Sequence, residues 1–106
     1  MAHKFDINID PSRLEDLQKR LDLAKFPDEL EGAGWDYGAP LSDVKRLTAY
    51  WRTRFDWKKV EAQLNELPNY RTTVQVKGFG GVDVHFLHQK SSAKKAVPLL
   101  FCHGWV

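Results

Sequence analysis

The sequence predicts an α+β chain, in which a helical N-terminal region is followed by a β-hairpin and a third strand. Apolar residues first recur at helical spacing, three or four positions apart. The period then changes to alternation over residues 69–87, with a glycine-rich turn in the middle, which is typical of a hairpin. A continuous apolar run at 97–102 is typical of a strand covered on both faces. We therefore divide the chain into a helical region, 1–68, and a strand region, 69–106.

The first predicted helix begins at Asp10, whose side chain can cap it. Pro11 occupies the first helical position, where its missing N–H costs nothing. Phe26-Pro27 is predicted to end this helix, because the residue before a proline avoids the helical conformation. Residues 1–9 are predicted to be extended. The apolar stripe of the helix, spaced i, i+3 and i+7, consists of Leu14, Leu17 and Leu21.

Two further helices are predicted after an irregular segment, residues 28–40, that is rich in glycine and proline. Ser42 is expected to cap the second helix. Asp56 is expected to cap the third, which runs from Trp57 to Leu67 and is closed by Pro68.

The aromatic side chains, 12% of the residues, exceed what three short helices can cover. A ligand pocket and an ordinary core are both possible explanations. Because a large exposed apolar patch is usually an interface, we expect docking against a partner domain. The residues expected to dock are Trp35, Tyr37, Trp51, Phe55 and Trp57. We also expect Trp35 and Tyr37 to anchor the irregular segment by packing, since loops of that length usually pack on something.

Charge and composition exclude several classes of protein. A formal net charge of +2 is too small to indicate a polyanion partner, and acidic residues dilute the basic ones, so we expect no nucleic acid. No apolar run approaches the roughly 20 residues of a membrane span. One cysteine allows no internal disulfide and fits a reducing compartment. We therefore expect a soluble, cytoplasmic protein.

A metal site is the alternative interpretation of His85, His88, Cys102 and His103. These side chains diverge, because His85 and His88 face opposite sides of a strand and Cys102 and His103 are adjacent. Zinc needs ligands that converge on one point, so we expect no metal and no cofactor. Cys102 ends a strand that the pattern predicts to be buried, which favours a small core residue over a reactive thiol.

The segment His103-Gly104-Trp105 directly follows the last predicted strand. Gly104 allows a tight turn there, after which the backbone N–H of Trp105 could point at a developing negative charge. A chance tripeptide at a strand end is the alternative.

Several ordered motifs together resemble one family. Residues 50–57 match YW-x-x-x-FDW, and Glu61, Leu64 and Asn65 match the E-x-x-L-N that follows it. Residues 84–88 match (I/V)-H-F-x-H, and residues 103–105 match the first three positions of HGWP. The chain resembles, nearly end to end, the N-terminal region of epoxide hydrolases of the microsomal and fungal type, which belong to the α/β-hydrolases.

The resemblance implies a part of an enzyme that converts epoxides to vicinal diols in detoxification or catabolism. The hairpin and third strand would begin an α/β-hydrolase sheet, and the helical region would pack against the remaining hydrolase domain. Trp105 matches the backbone oxyanion donor, with His103 and Gly104 shaping its loop. The aspartate nucleophile, the acid/base histidine and the lid tyrosines match no residue here. We therefore expect a truncated chain, inactive alone, with a small epoxide as a ligand only of the full-length enzyme.

A stand-alone interaction module is the second interpretation of the same residues. It would dock on a hydrolase-type partner through Trp35, Trp51 and Trp57.

Overall fold

The computed structural model describes residues 1–104. The chain divides into two compact units, one of residues 6–66, which holds the helices, and one of residues 1–5 with the chain from residue 67 onward, which holds the sheet. The elements, in chain order, are β1 His3–Lys4, α1 Pro11–Asp22, α2 Leu41–Thr53, α3 Trp57–Asn65, β2 Asn69–Val76 and β3 Gly80–Leu87.

Helix α1 begins as predicted. The Asp10 carboxylate accepts hydrogen bonds from the Ser12 hydroxyl at 2.6 Å and from the Ser12 amide at 2.8 Å. These two bonds hold the pKa of Asp10 below its usual value. The helix ends at Asp22, earlier than Phe26-Pro27, because the amide of Ala24 donates to the carbonyl of Leu21 in a tighter turn.

The prediction that Ser42 caps α2 is wrong. The helix begins one residue earlier, at Leu41, after Pro40, and no side chain of the neighbouring residues caps it. Glu29, twelve positions upstream, accepts a hydrogen bond from the amide of Leu41 at 2.6 Å. A carboxylate at this end also interacts favourably with the helix dipole.

The irregular segment is held in place by backbone turns and by Glu29, rather than by its aromatic residues. Trp35 is 69% exposed and Tyr37 is 85% exposed, so the prediction that they anchor the segment by packing is wrong. Amides at Ala33, Asp36 and Gly38 each donate to a carbonyl three residues earlier and fold the segment locally.

Helix α3 begins as predicted at Trp57, with the Asp56 carboxylate accepting from the amide of Lys59 at 3.2 Å. It ends at Asn65, two residues before the predicted end at Leu67. Within residues 1–104, no helix is long and apolar enough to cross a bilayer.

The sheet is antiparallel in the order β1-β2-β3. The predicted hairpin is confirmed: Tyr70 pairs with Phe86, and Val76 pairs with Gly80 at the turn. Gly78 and Gly80 have φ of +85° and +80°, a conformation that favours glycine, which explains the glycine-rich turn.

The third strand differs from the prediction. Residues 97–102 form no strand, and the side chains of Val97, Leu99 and Leu100 are largely exposed. The third strand is instead β1, in which Lys4 pairs with Tyr70. The apolar run stays unpaired because a strand needs a neighbour, and none of the described residues pairs with it.

Among residues 1–104, no apolar residue is buried. The two buried residues are Glu61 and Asn69, and both are polar. The accessible surface is 10160 Å². A folded monomer of this mass exposes about 6,100 Å², and two separate bodies of half the mass would together expose about 7,350 Å². The helices and the sheet therefore present apolar surface that these residues do not cover.

The cap at α2 gives a first prediction. Replacing Glu29→Ala removes the acceptor of the Leu41 amide and should cost about 1 kcal/mol, the usual effect of losing an N-terminal cap. Hydrogen exchange should then quicken at the first turn of α2 and stay unchanged at α3. Glu31→Ala, in the same segment but without a hydrogen bond to α2, is the matched control. Equal exchange in both variants would contradict the role of Glu29.

Candidate functional site

The helical unit contains an open apolar concavity of about 570 Å³, here called the basin. The residues that line it come from the segment before α1, from α1 itself, from the end of α2 and from the turn into α3. The basin is lined by Ile9, Arg13, Leu14, Leu17, Tyr50, Trp51, Phe55 and Trp57. Because Arg13 is the one charged residue in this lining, the basin suits an apolar contact surface rather than acid/base chemistry.

Three of the five predicted docking residues meet in the basin: Trp51, Phe55 and Trp57. Trp51 is 46% exposed and Phe55 41% exposed, whereas Trp57 is half-buried. Tyr37 lies in a different concavity, beside Leu30 and Val44. Trp35 lines neither concavity. The geometry therefore separates Trp35 and Tyr37 from the other three aromatic residues.

The buried carboxylate of Glu61 positions two residues of the basin lining, Ile9 and Trp57. Glu61 Oε2 accepts from the Ile9 amide at 2.7 Å and from the Trp57 indole N–H at 3.0 Å. Its Oε1 accepts from Lys58 Nζ at 2.8 Å. Lys58 also donates to the carbonyl of Ile9 at 2.9 Å. These bonds fix the position of residue 9 and the orientation of the Trp57 ring, which together form one side of the basin.

Asn65 makes a second attachment one helical turn further along α3. Its side-chain oxygen accepts from the Ile7 amide at 2.8 Å, and its side-chain NH₂ donates to the Ile7 carbonyl at 2.8 Å. Residues four apart lie on the same helix face, so Glu61 and Asn65 bind residues 6–9, here called the arm, as an extended segment along α3. Both residues belong to the E-x-x-L-N motif, but the motif by itself indicated no structural role for either. Their spacing on a helix that also carries an apolar stripe was the available signal.

Hydrogen bonding lowers the pKa of Glu61. The bond from Lys58 contributes most, followed by the bond from the Ile9 amide, while burial acts in the opposite direction. The carboxylate is therefore ionised in the folded unit at neutral pH, as its three donors require.

In the sheet unit, the histidines take part in side-chain contacts rather than in a catalytic pair. His85 Nε2 lies 2.9 Å from Asn69 Oδ1, and its ring packs edge-on against Phe5 at 5.3 Å. His88 packs near Tyr70 at 6.2 Å between ring centres. In the part of the chain that the structure describes, no histidine bonds to a carboxylate, and no group of three or more metal-binding side chains converges.

The predicted oxyanion segment lies at the edge of the described residues. Cys102, His103 and Gly104 are exposed, so the expectation that Cys102 is a core residue is wrong. Its burial depended on a strand at 97–102, which does not form. The Phe101 and His103 rings meet edge-on at 5.1 Å. Trp105, the predicted backbone donor, lies outside the described residues.

Comparison with known proteins gives a consistent match. Residues 2–106 match the family model described as epoxide hydrolase N terminus. The chain is 44% identical over 101 residues to a Stigmatella aurantiaca protein named "Putative epoxide hydrolase", and 34% identical over 104 residues to juvenile hormone epoxide hydrolase 1 of Ctenocephalides felis. Each alignment covers 95% of this chain, but 22% and 21% of the relative.

The fold is similar to that of the Aspergillus niger epoxide hydrolase structure. The TM-score is 0.75 at 28% sequence identity, and the match covers 92% of this chain and 25% of that one. The chain thus spans about a fifth to a quarter of the proteins it matches.

The Glu61 contacts give a prediction about pH. A lowered pKa means that this carboxylate stabilises the helical unit above the usual glutamate pKa of about 4.3, and that the contribution is lost as pH falls through the lowered value. The Trp57 indole N–H resonance should therefore titrate with a midpoint below that of an ordinary glutamate. In Glu61→Gln this titration should disappear, while Glu66→Gln, on the same helix end, should retain it. A Trp57 resonance that titrates in Glu61→Gln would contradict the assignment.

Proposed function

Because the chain belongs to the epoxide hydrolase N-terminal family, we propose that it serves as the N-terminal part of an epoxide hydrolase. Its role is structural: the basin and the open side of the sheet pack against the remaining hydrolase domain. The observation that supports this proposal is that residues 1–104 bury no apolar side chain, although their polar contacts are well formed.

The basin has the composition that an intramolecular interface requires. Tyr50, Trp51 and Phe55 all line the basin, and each exposes between 41% and 57% of its surface. An exposed apolar patch of this kind marks an interaction surface. Burying a large aromatic side chain stabilises a protein by about 1.5–3 kcal/mol, so covering the basin would contribute strongly to the stability of the whole enzyme.

The proposed reaction is the opening of an epoxide to a vicinal diol. In it, a carboxylate oxygen attacks an epoxide carbon, the carbon–oxygen bond of the ring breaks, and a proton donor neutralises the alkoxide. A base then takes a proton from water, which attacks the ester carbonyl, and the resulting oxyanion collapses and expels the diol oxygen, which takes that proton from the base. The carboxylic acid left behind returns its proton to the donor of the first step, which restores the carboxylate. The contribution of this chain is the backbone N–H of Trp105, which would donate to that oxyanion.

The chain is proposed to be inactive by itself. Covalent catalysis needs a nucleophile and a base within hydrogen-bond reach, and no histidine–carboxylate pair occurs in residues 1–104. The absence of such a pair supports a division of labour in which this region supports the site and the remaining hydrolase domain supplies the reacting groups.

A second candidate function is that of an interaction module that docks on a separate hydrolase-type protein. It is favoured by one observation: the basin forms entirely within the compact unit of residues 6–66. Binding to the intact Aspergillus niger enzyme, in which the equivalent region is already present, would favour this candidate. Absence of such binding in a titration would favour the first.

A chimera tests the first candidate. We expect that replacing the matching N-terminal residues of the Aspergillus niger enzyme with this chain gives measurable epoxide hydrolysis, whereas the chain alone gives none. Trp51→Ala combined with Phe55→Ala should destabilise the chimera by several kcal/mol, since a buried aromatic truncated to alanine costs about 3–5 kcal/mol.

Leu23→Ala is the matched control for that variant, because Leu23 is apolar and 78% exposed but lies outside the basin. Thermal unfolding of the two variants measures the difference. Turnover by the purified chain alone, or equal stability of the two variants, would contradict the proposal.

The oxyanion role of Trp105 gives a separate prediction in the same chimera. Trp105→Pro removes the backbone N–H and should lower kcat by about 10²–10³-fold, the usual effect of losing one oxyanion donor. Trp105→Phe keeps the N–H and should lower kcat far less. Circular dichroism checks that both variants are folded, and similar kcat values in the two would exclude the backbone donor.

A further inference from the structure

Arg71, on β2, differs from the other basic residues of the chain. Among residues 1–104 it is the one lysine or arginine that is half-buried, whereas all the others are exposed. Its guanidinium forms no hydrogen bond or ion pair with another of these residues. A partly buried cation without an anionic partner is unfavourable, because it has given up water without gaining a hydrogen bond in return. The structure therefore leaves a place for an anion beside Arg71.

A series of contacts holds this guanidinium in position. Asn69 is 4% exposed, and its Oδ1 lies 2.9 Å from His85 Nε2. The His85 ring packs edge-on against Phe5, with 5.3 Å between ring centres. The guanidinium carbon of Arg71 lies 5.0 Å from the centre of the Phe5 ring. Because the arginine is already placed, binding an anion costs little further ordering.

The charged side chains around Arg71 provide no acceptor for it. The strand register places His3, Arg71 and His85 directly opposite one another across the three strands, so their side chains lie on the same face. Asp83, two residues before His85, also lies on this face, but its Oδ1 accepts from the Thr73 hydroxyl at 2.7 Å. None of the ion pairs within residues 1–104 includes Arg71. This face therefore carries, at Arg71, a positive charge without an ion-pair partner.

We propose that Arg71 anchors the sheet unit to the remaining hydrolase domain by binding the carboxylate of an aspartate or glutamate on that domain. This inference rests on the proposed function and deepens it, since it names the chemistry of one contact between the two parts of the enzyme.

The chemistry of the guanidinium favours a carboxylate. Its planar N–H groups can donate to both carboxylate oxygens at once, which gives a strong and directional pair. Aspartate and glutamate are the anionic side chains that a protein domain carries. Since the chain spans about a fifth to a quarter of the relatives it matches, most of such an enzyme is available to provide one. The ion pair would add a polar attachment in the sheet unit to the apolar one at the basin.

Titration of the 106-residue chain with sodium acetate tests the carboxylate site without the hydrolase domain. We expect the Nε–H resonance of Arg71 and the ring resonances of Phe5 to shift in a saturable way, whereas sodium chloride at equal ionic strength gives no saturable shift. In Arg71→Gln the dissociation constant for acetate, measured from the Phe5 ring, should rise about tenfold, since a hydrogen bond to a charged group is lost. Lys77→Gln removes the same charge one residue beyond β2 and is the matched control.

Three outcomes of this titration would overturn the carboxylate site. The first is an absence of saturation in the unmodified chain, and the second is an equal dissociation constant in Arg71→Gln and Lys77→Gln. The third is tighter binding of inorganic phosphate than of acetate. If Arg71→Gln does not fold, Arg71→Lys takes its place: it keeps the charge but lacks the planar fork, so acetate should bind it more weakly than the unmodified chain. Equal affinity there would also overturn the site.

A chimera tests the choice of partner. In it, this chain replaces the matching residues of the Stigmatella aurantiaca protein, to which it is 44% identical. Arg71→Gln should lower the midpoint of thermal unfolding by about 2 °C relative to Lys77→Gln, because only the first loses the ion pair. Equal midpoints in a chimera that hydrolyses epoxides would overturn the anchor and leave the proposed function intact. A folded chimera without activity would contradict the proposed function and, with it, the choice of partner, whereas the acetate result would stand.

Discussion

The helical unit depends on the accommodation of one buried carboxylate. A buried charge is costly unless donors surround it, and Glu61 meets this condition with a backbone amide, an indole N–H and an ammonium group. Those donors come from the arm and from the first turn of α3. Satisfying the charge therefore also sets where the arm runs and how the Trp57 ring faces, and Ile9 and Trp57 both line the basin.

Local features of the fold could be predicted from the sequence because their causes lie within a few residues. Asp10 and Asp56 cap helices through amides two or three positions away, and the glycine-rich turn carries the positive φ angles that glycine favours. Glu29 and Glu61 could not be assigned in this way. The backbone amides that they bind lie 12 and 52 residues away, and a hydrogen bond over such a distance leaves no periodicity in the sequence.

The grouping of the aromatic residues could likewise not be predicted from their spacing in the sequence. Their number indicated an apolar surface, and three of them do form one, but spacing alone could not separate Trp51, Phe55 and Trp57 from Trp35 and Tyr37. That separation arises from the turns of the irregular segment and from the Glu29 cap. An apolar stripe predicts which face of a helix avoids water, but it does not reveal what covers that face.

The two unsatisfied features of the sheet unit have one physical cause. The outer edge of β3 presents backbone groups without a partner among the described residues, and the apolar run at 97–102 is exposed for lack of neighbouring strands. Alternation along β2 and β3 was predictable because each strand supplies the other's hydrogen bonds. The continuous run at 97–102 has the composition of a strand buried on both faces, and such a strand forms only where neighbouring strands pair with it. The proposed packing against a hydrolase domain would satisfy both features, and the chain spans about a fifth to a quarter of the relatives it matches.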